Sequence, residues 1–147
     1  MKRIVCALTV AVLPLSAFAA DALNGTVWKT VDDKTKQPKA LVKFTENSDG
    51  SLSGTIQKVI DPQAKTKTVC YICEGRYKNK SLVGAKIVTG LKKVSDGQYA
   101  NGSIIDPESG KTYKFKANLS KDGKVLSGRG FIGVSALGRD QTWYRVN

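Results

Sequence analysis

Cys70 and Cys73 lie in the stretch T-V-C-Y-I-C-E-G, Thr68 to Gly75, and their spacing is the one most suggestive of chemistry in the chain. Cys-x-x-Cys serves as half of a zinc site, as a thioredoxin-type redox switch, or as a small structural disulfide. Zinc needs about four ligands. The chain has no histidine, and its third thiol is the distant Cys6, so a zinc site within one chain is half built. A redox switch wants its first cysteine at a helix N-terminus in a βαβ setting, which lowers the thiolate pKa. Here Glu74-Gly75 follows at once and no helical period surrounds it. Lys65 and Lys67 supply nearby positive charge, so thiol-disulfide exchange by Cys70 and Cys73 stays open as an alternative. A disulfide needs only an oxidising compartment and a loop to restrain. Closing so small a ring contributes about 2 kcal/mol in the chain-entropy description.

Other catalytic arrangements are missing. Without histidine there is neither a Ser-His-Asp nor a Cys-His constellation. The only glutamates are Glu46, Glu74 and Glu108, and a paired-carboxylate site needs two convergent acids in a cleft. Asp61-Pro62 and Asp106-Pro107-Glu108-Ser109-Gly110 have turn composition. No glycine loop precedes a helix in the manner of a phosphate cradle. The expectation is a protein that is not an enzyme and carries no metal or cofactor.

The start of the chain sets the compartment. Lys2 and Arg3 precede an apolar run from Ile4 to Leu15, and Ala17-Phe18-Ala19 supplies the small-x-small pattern of signal peptidase sites. Residues 1–19 read as a signal peptide cleaved after Ala19 or Ala20, with 20–147 as a single domain, periplasmic or secreted. The run is too short for a transmembrane anchor, which takes about 20 apolar residues. Cleavage removes Cys6, leaving Cys70 and Cys73 as the thiols of an exported chain, and it lowers the formal charge of +12 by two.

The elements that must position these residues are strands. Segments Gly25 to Val31, Ala40 to Glu46, Ser51 to Val59, Gly84 to Leu91, Gly97 to Asp106, Thr112 to Leu119, Val125 to Ile132 and Gln141 to Val146 are β-prone. Asn47-Ser48-Asp49-Gly50, Ser95-Asp96-Gly97 and Lys121-Asp122-Gly123 supply the tight turns between them. In T-Y-K-F-K-A-N-L, Tyr113, Phe115, Ala117 and Leu119 share one face while the lysines share the other. About eight strands with short turns and many strand glycines predict an all-β, antiparallel, up-and-down barrel. Ile60 to Ser81, which holds the cysteines, is the one long irregular segment.

Five motifs occur in order: G-x-x-W-K-T, C-x-x-C-E-G, V-G-x-x-I-x-x-G-L, G-S-I-I-D-P-E-S-G-K-T-Y and G-F-I-G-V-S-A-L-G-R-D-Q-T-W-Y-R. By these the sequence resembles a bacterial family of exported proteins of unknown function with lipocalin-like, or calycin, barrels. The resemblance implies closure of the barrel by its first and last strands. Trp28, Trp143 and Arg145 would sit at that closure, with the arginine over the Trp28 indole as a cation–π contact.

A barrel of this size either holds one small ligand or is filled by its own side chains. Phe44, Ile56, Tyr99, Tyr113, Phe115 and Phe131, with Val42 and Ile104, are the candidate lining. The functional expectation is binding of a small apolar or amphipathic ligand. A redox protein using Cys70 and Cys73 and a structural envelope protein are the alternatives. The basic surplus reads first as a solvated surface and second as weak attraction to anionic envelope components. Nucleic acid is excluded as a partner by the compartment. Tyr113-Lys114-Phe115-Lys116 also puts aromatics and lysines on opposite faces, whereas a stacking platform needs them together.

Overall fold

In the computed structural model, which describes residues 11, 18–63 and 68–147, alternating side chains close a single sheet on itself. The signal peptide read over residues 1–19 lies mostly outside the described residues, as do Lys65 and Lys67. Ten strands form among the described residues: β1 (Val27–Val31), β2 (Pro38–Glu46), β3 (Leu52–Val59), β4 (Val69–Cys70), β5 (Lys80–Ser81), β6 (Lys86–Ser95), β7 (Gln98–Ile105), β8 (Thr112–Leu119), β9 (Val125–Phe131) and β10 (Arg139–Arg145). Eight of them make a closed antiparallel barrel in the order β1-β10-β9-β8-β7-β6-β3-β2. The remaining pair, β4 and β5, is a small hairpin in the excursion between β3 and β6. All eight strands expected from the sequence are barrel strands. No helix among the described residues is long and apolar enough to cross a membrane.

Every barrel turn ends one strand and reverses the next, so the loops gather at two ends. The turns after β2, β6 and β8 carry Gly50, Gly97 and Gly123 at positive φ, where an L side chain is disfavoured. At this end the N-terminal turn tucks Leu23, fully buried, beneath the strands, and the amide of Gly25 donates to Phe44 O. Trp28 is also fully buried, and its Nε1 donates to Thr26 Oγ1 at 2.7 Å. The Thr26 hydroxyl in turn donates to Leu23 O at 2.5 Å. That end is closed.

The lower half of the interior is packed solid by Val42, Phe44, Leu52, Val88, Leu91 and Leu126. Three inward glycines make this packing fit. A Cβ on Gly128 would stand 2.7 Å from the Phe115 ring, and one on Gly102 would meet Leu91 at 3.0 Å. On Gly54 it would crowd Val42 and Val88 at 3.1 Å. Each large side chain occupies the space its facing glycine leaves.

Candidate functional site

Above the packed half the barrel opens into a cavity of about 750 Å³. Its floor and walls are apolar: Trp143 and Phe115 below, then Ile56, Ile104, Ala40, Val59, Leu82 and Tyr113. Trp143 stacks on Phe115 with ring centroids 6.0 Å apart and meets Phe44 at 6.1 Å. Its Nε1 donates to Gln141 Oε1, which satisfies the one polar atom on the indole. Gly130 also faces in, and a Cβ there would find only ordinary contacts at 3.6 Å.

The open end is polar. Asp32, Asp33, Asp61, Asp106 and Glu108 line it together with Lys39 and Arg139. In a chain of formal charge +12 the mouth is therefore locally acidic. Lys39 Nζ lies 2.6 Å from Glu108 Oε1, 3.1 Å from Asp61 Oδ2 and 3.9 Å from Asp32 Oδ2. The Glu108 hydrogen bond holds the Lys39 pKa above the ordinary lysine value, and Asp61 adds to it against partial burial. Backbone and hydroxyl hydrogen bonds from Thr35 hold Asp32 below the usual carboxylate range. Asp33 is pushed up by burial, which Arg139 partly opposes.

The cysteines form a disulfide, with Cα atoms 5.4 Å apart, and both are buried. Between them Tyr71 and Ile72 are 70% and 59% exposed and border the cavity. The ring rests on the turn between β7 and β8. Gly110 has φ +71, and a Cβ there would be only 2.2 Å from Ile72 O, so neither the backbone angle nor the space admits a side chain. Cys70 Sγ lies 3.8 Å from Pro107 O. Asp106 serves the turn itself, accepting from the Glu108 amide at 2.9 Å and the Ser109 hydroxyl at 2.8 Å. Two sequence motifs, the Cys-x-x-Cys and the D-P-E-S-G-K turn, are thus one assembly. Among the described residues no group of three or more His, Cys, Asp or Glu is placed to hold a metal ion.

Of the expected lining, Ile56, Ile104, Tyr113 and Phe115 do face the cavity. Phe44, Val42 and Tyr99 are interior but belong to the packed half, beneath the cavity. The Tyr99 hydroxyl donates to Asp21 Oδ1 at 3.0 Å, tying β7 to the N-terminal turn. Phe131 is a correction. In β9 the inward positions are Leu126, Gly128 and Gly130, so Phe131 faces out and lies 6.0 Å under the Lys116 ammonium. Glycines hide the alternation that would have shown this.

The closure is also corrected in part. Trp28 pairs with Arg145 in the β1–β10 ladder, as expected. The cation–ring contacts among the described residues are instead Arg76 on Tyr77 and Lys116 on Phe131. The Arg145 guanidinium goes to the carbonyls of Asn147 and Gly123. Trp143 pairs with Thr30 in the same ladder, and its ring also forms the cavity floor. Sequence reading missed Lys39, Asp61 and Glu108, because a carboxylate in a turn carries no sign of a lysine 69 positions away.

A closed, eight-stranded, up-and-down antiparallel barrel that is solid at one end and hollow at the other is a lipocalin-like fold. The family described as "Uncharacterized protein conserved in bacteria (DUF2147)" matches residues 26–145, and the chain belongs to it. Among solved structures, protein HP1028 from Helicobacter pylori, described as belonging to the lipocalin family, is similar with a TM-score of 0.72. The two share 20% identity over 85% of this chain and 83% of that one, a likeness of fold. Among curated proteins no sequence matches.

Proposed function

We propose that the protein binds one small apolar or amphipathic molecule in the upper half of its barrel, as an exported, non-enzymatic carrier or sensor in the bacterial envelope. The observation that carries this reading is the cavity itself. About 750 Å³ lined by Trp143, Phe115, Ile56 and Ile104 lies within the range of small-molecule sites. A barrel selected only as a structural plug would gain stability by filling that volume, as it does below Trp143.

The rim narrows the ligand class. An apolar body would sit on the Trp143–Phe115 floor, with any polar end among the carboxylates and Lys39. Five carboxylates against two cations favour a neutral or positively charged polar end over an anionic one. Attraction of the basic outer surface to anionic envelope components would act elsewhere on the molecule. The leader pattern of residues 2–19 supports the location.

Titration of the mature protein with the uncharged dye N-phenyl-1-naphthylamine tests the reading. Saturable, one-to-one fluorescence enhancement is expected, and Gly130→Leu should abolish it by growing into the cavity while the fold survives. Oleate should compete more weakly than a long-chain alkyl amine. Absence of saturable binding by any neutral, cationic or anionic member of that panel sinks the carrier reading.

A further inference from the structure

The mouth of the cavity has a wall made of two loops that no backbone ladder holds to each other. The first is the disulfide ring Cys70-Tyr71-Ile72-Cys73, and the second is the turn from Asp106 to Gly110. They meet where Ile72 O occupies the space left by the missing Gly110 side chain, and where Cys70 Sγ approaches Pro107 O. Contact this close transmits displacement, so the ring and the turn cannot shift independently. The disulfide keeps the ring rigid, and rigidity lets it act as a plate rather than a frayed loop.

The turn has a second attachment, on another side of the mouth. Glu108 reaches Lys39 at the start of β2, and β2 is separated from β7 by β3 and β6 in the barrel order. The pair therefore spans the opening. Lys39 is itself anchored on the β3 side by Asp61 at 3.1 Å. The Glu108 side chain is 65% exposed, so its half of the pair is weak and easily exchanged for water.

We propose that the Cys70–Cys73 ring and the Asp106–Gly110 turn move as one lid over the cavity, latched shut across the mouth by Glu108 and Lys39. Opening breaks the exposed Glu108–Lys39 pair and unpacks the ring cysteines, while the barrel ladders stay intact. The lid rests on the carrier reading for its purpose, since it would govern ligand entry and release, but its mechanics can be tested without any ligand.

Hydrogen exchange reads the two loops separately through Asn79 N–H, bonded to Cys70 O at 2.9 Å, and Gly110 N–H, bonded to Asp106 O at 2.7 Å. Glu108→Gln alters only the turn, and Cys70→Ser/Cys73→Ser alters only the ring. With one lid, each variant speeds exchange at both amides while β8 and β9 stay protected. Both variants should also release N-phenyl-1-naphthylamine faster, with Glu108→Gln giving about two- to fivefold, as expected for loss of an exposed ion pair. If each variant loosens only its own loop, or if both loops loosen with no change in release rate, the lid is overturned. If the dye never binds, the carrier reading falls, and the exchange pattern in the two variants still decides whether the loops move together. Glu108→Gln is a surface change that keeps the fold, so the test stands even if the double serine variant does not fold.

Discussion

At the closed end of the barrel, Leu23, Trp28 and Phe44 are fully buried, the Trp28 indole N–H is satisfied by Thr26 and the Gly25 amide donates to Phe44 O. At the open end, an ion pair joins residues 69 positions apart, a disulfide ring leans on a glycine turn, and the walls surround a cavity. The strands are shared by both ends. What differs is whether the inward side chains meet in the middle. Stability should therefore concentrate at the closed end and ligand-dependent behaviour at the mouth, and substitutions at matched positions can break or refine that division.

The largest effect is expected at Trp28. Trp28→Ala removes the biggest fully buried side chain at the closed end and takes away the indole N–H that the Thr26 hydroxyl oxygen accepts. It should cost about 3–5 kcal/mol in urea denaturation. A cost below about 1 kcal/mol would mean that the sealed end is not the stabilising half.

Two glycines on the same strand give the cleanest contrast. Gly128 faces the Phe115 ring at 2.7 Å from an added Cβ, whereas Gly130, one inward position nearer the mouth, offers 3.6 Å. Gly128→Ala should destabilise by about 1–3 kcal/mol through overpacking. Gly130→Ala should change stability by less than about 0.5 kcal/mol. Thermal melts of the two variants side by side measure the boundary between packed and hollow halves within a single strand. Equal losses would place that boundary elsewhere.

The same two glycines explain how far the fold could be read from the sequence. β8 announced itself, because Tyr113, Phe115, Ala117 and Leu119 alternate with polar residues and the strand spans Thr112–Leu119 as expected. β9 concealed its facing. With Gly128 and Gly130 inside, its conspicuous aromatic is Phe131, which points outward. The turns were legible because positive φ at Gly50, Gly97 and Gly123 demands a residue type that sequence displays directly. The rim was not, since Lys39, Asp61 and Glu108 become neighbours only when the barrel closes. Gly110 is an intermediate case: its turn was visible, but its second role, admitting Ile72 O, depends on a loop folded over it.

Tyr99 gives a smaller, pH-dependent effect at the closed end. Burial, reinforced by the hydrogen bond to Asp21 and its charge, raises the Tyr99 pKa above the ordinary tyrosine value. The folded state thus holds this proton more tightly than the unfolded chain. The contribution to stability is complete below about pH 10 and is lost as pH rises above it, because the unfolded chain ionises first. Tyr99→Phe should cost about 0.5–1.5 kcal/mol near neutral pH. It should also flatten the alkaline fall in stability by up to about 1.4 kcal/mol per pH unit, read from urea midpoints across pH 10 to 11.

A small effect is also expected from the mouth's own ion pair. Glu108 is mostly exposed, and Lys39 keeps Asp61 when Glu108 is neutralised. Glu108→Gln should therefore shift the urea midpoint by the equivalent of less than about 1 kcal/mol, and the shift should shrink further in high salt. This insensitivity has physical content: an interaction that spans the cavity mouth and contributes little to global stability can be broken and remade without unfolding the barrel. A loss comparable to that of Trp28→Ala would show that the rim is part of the structural frame, and the division between a stabilising end and a mobile end would then have to be abandoned.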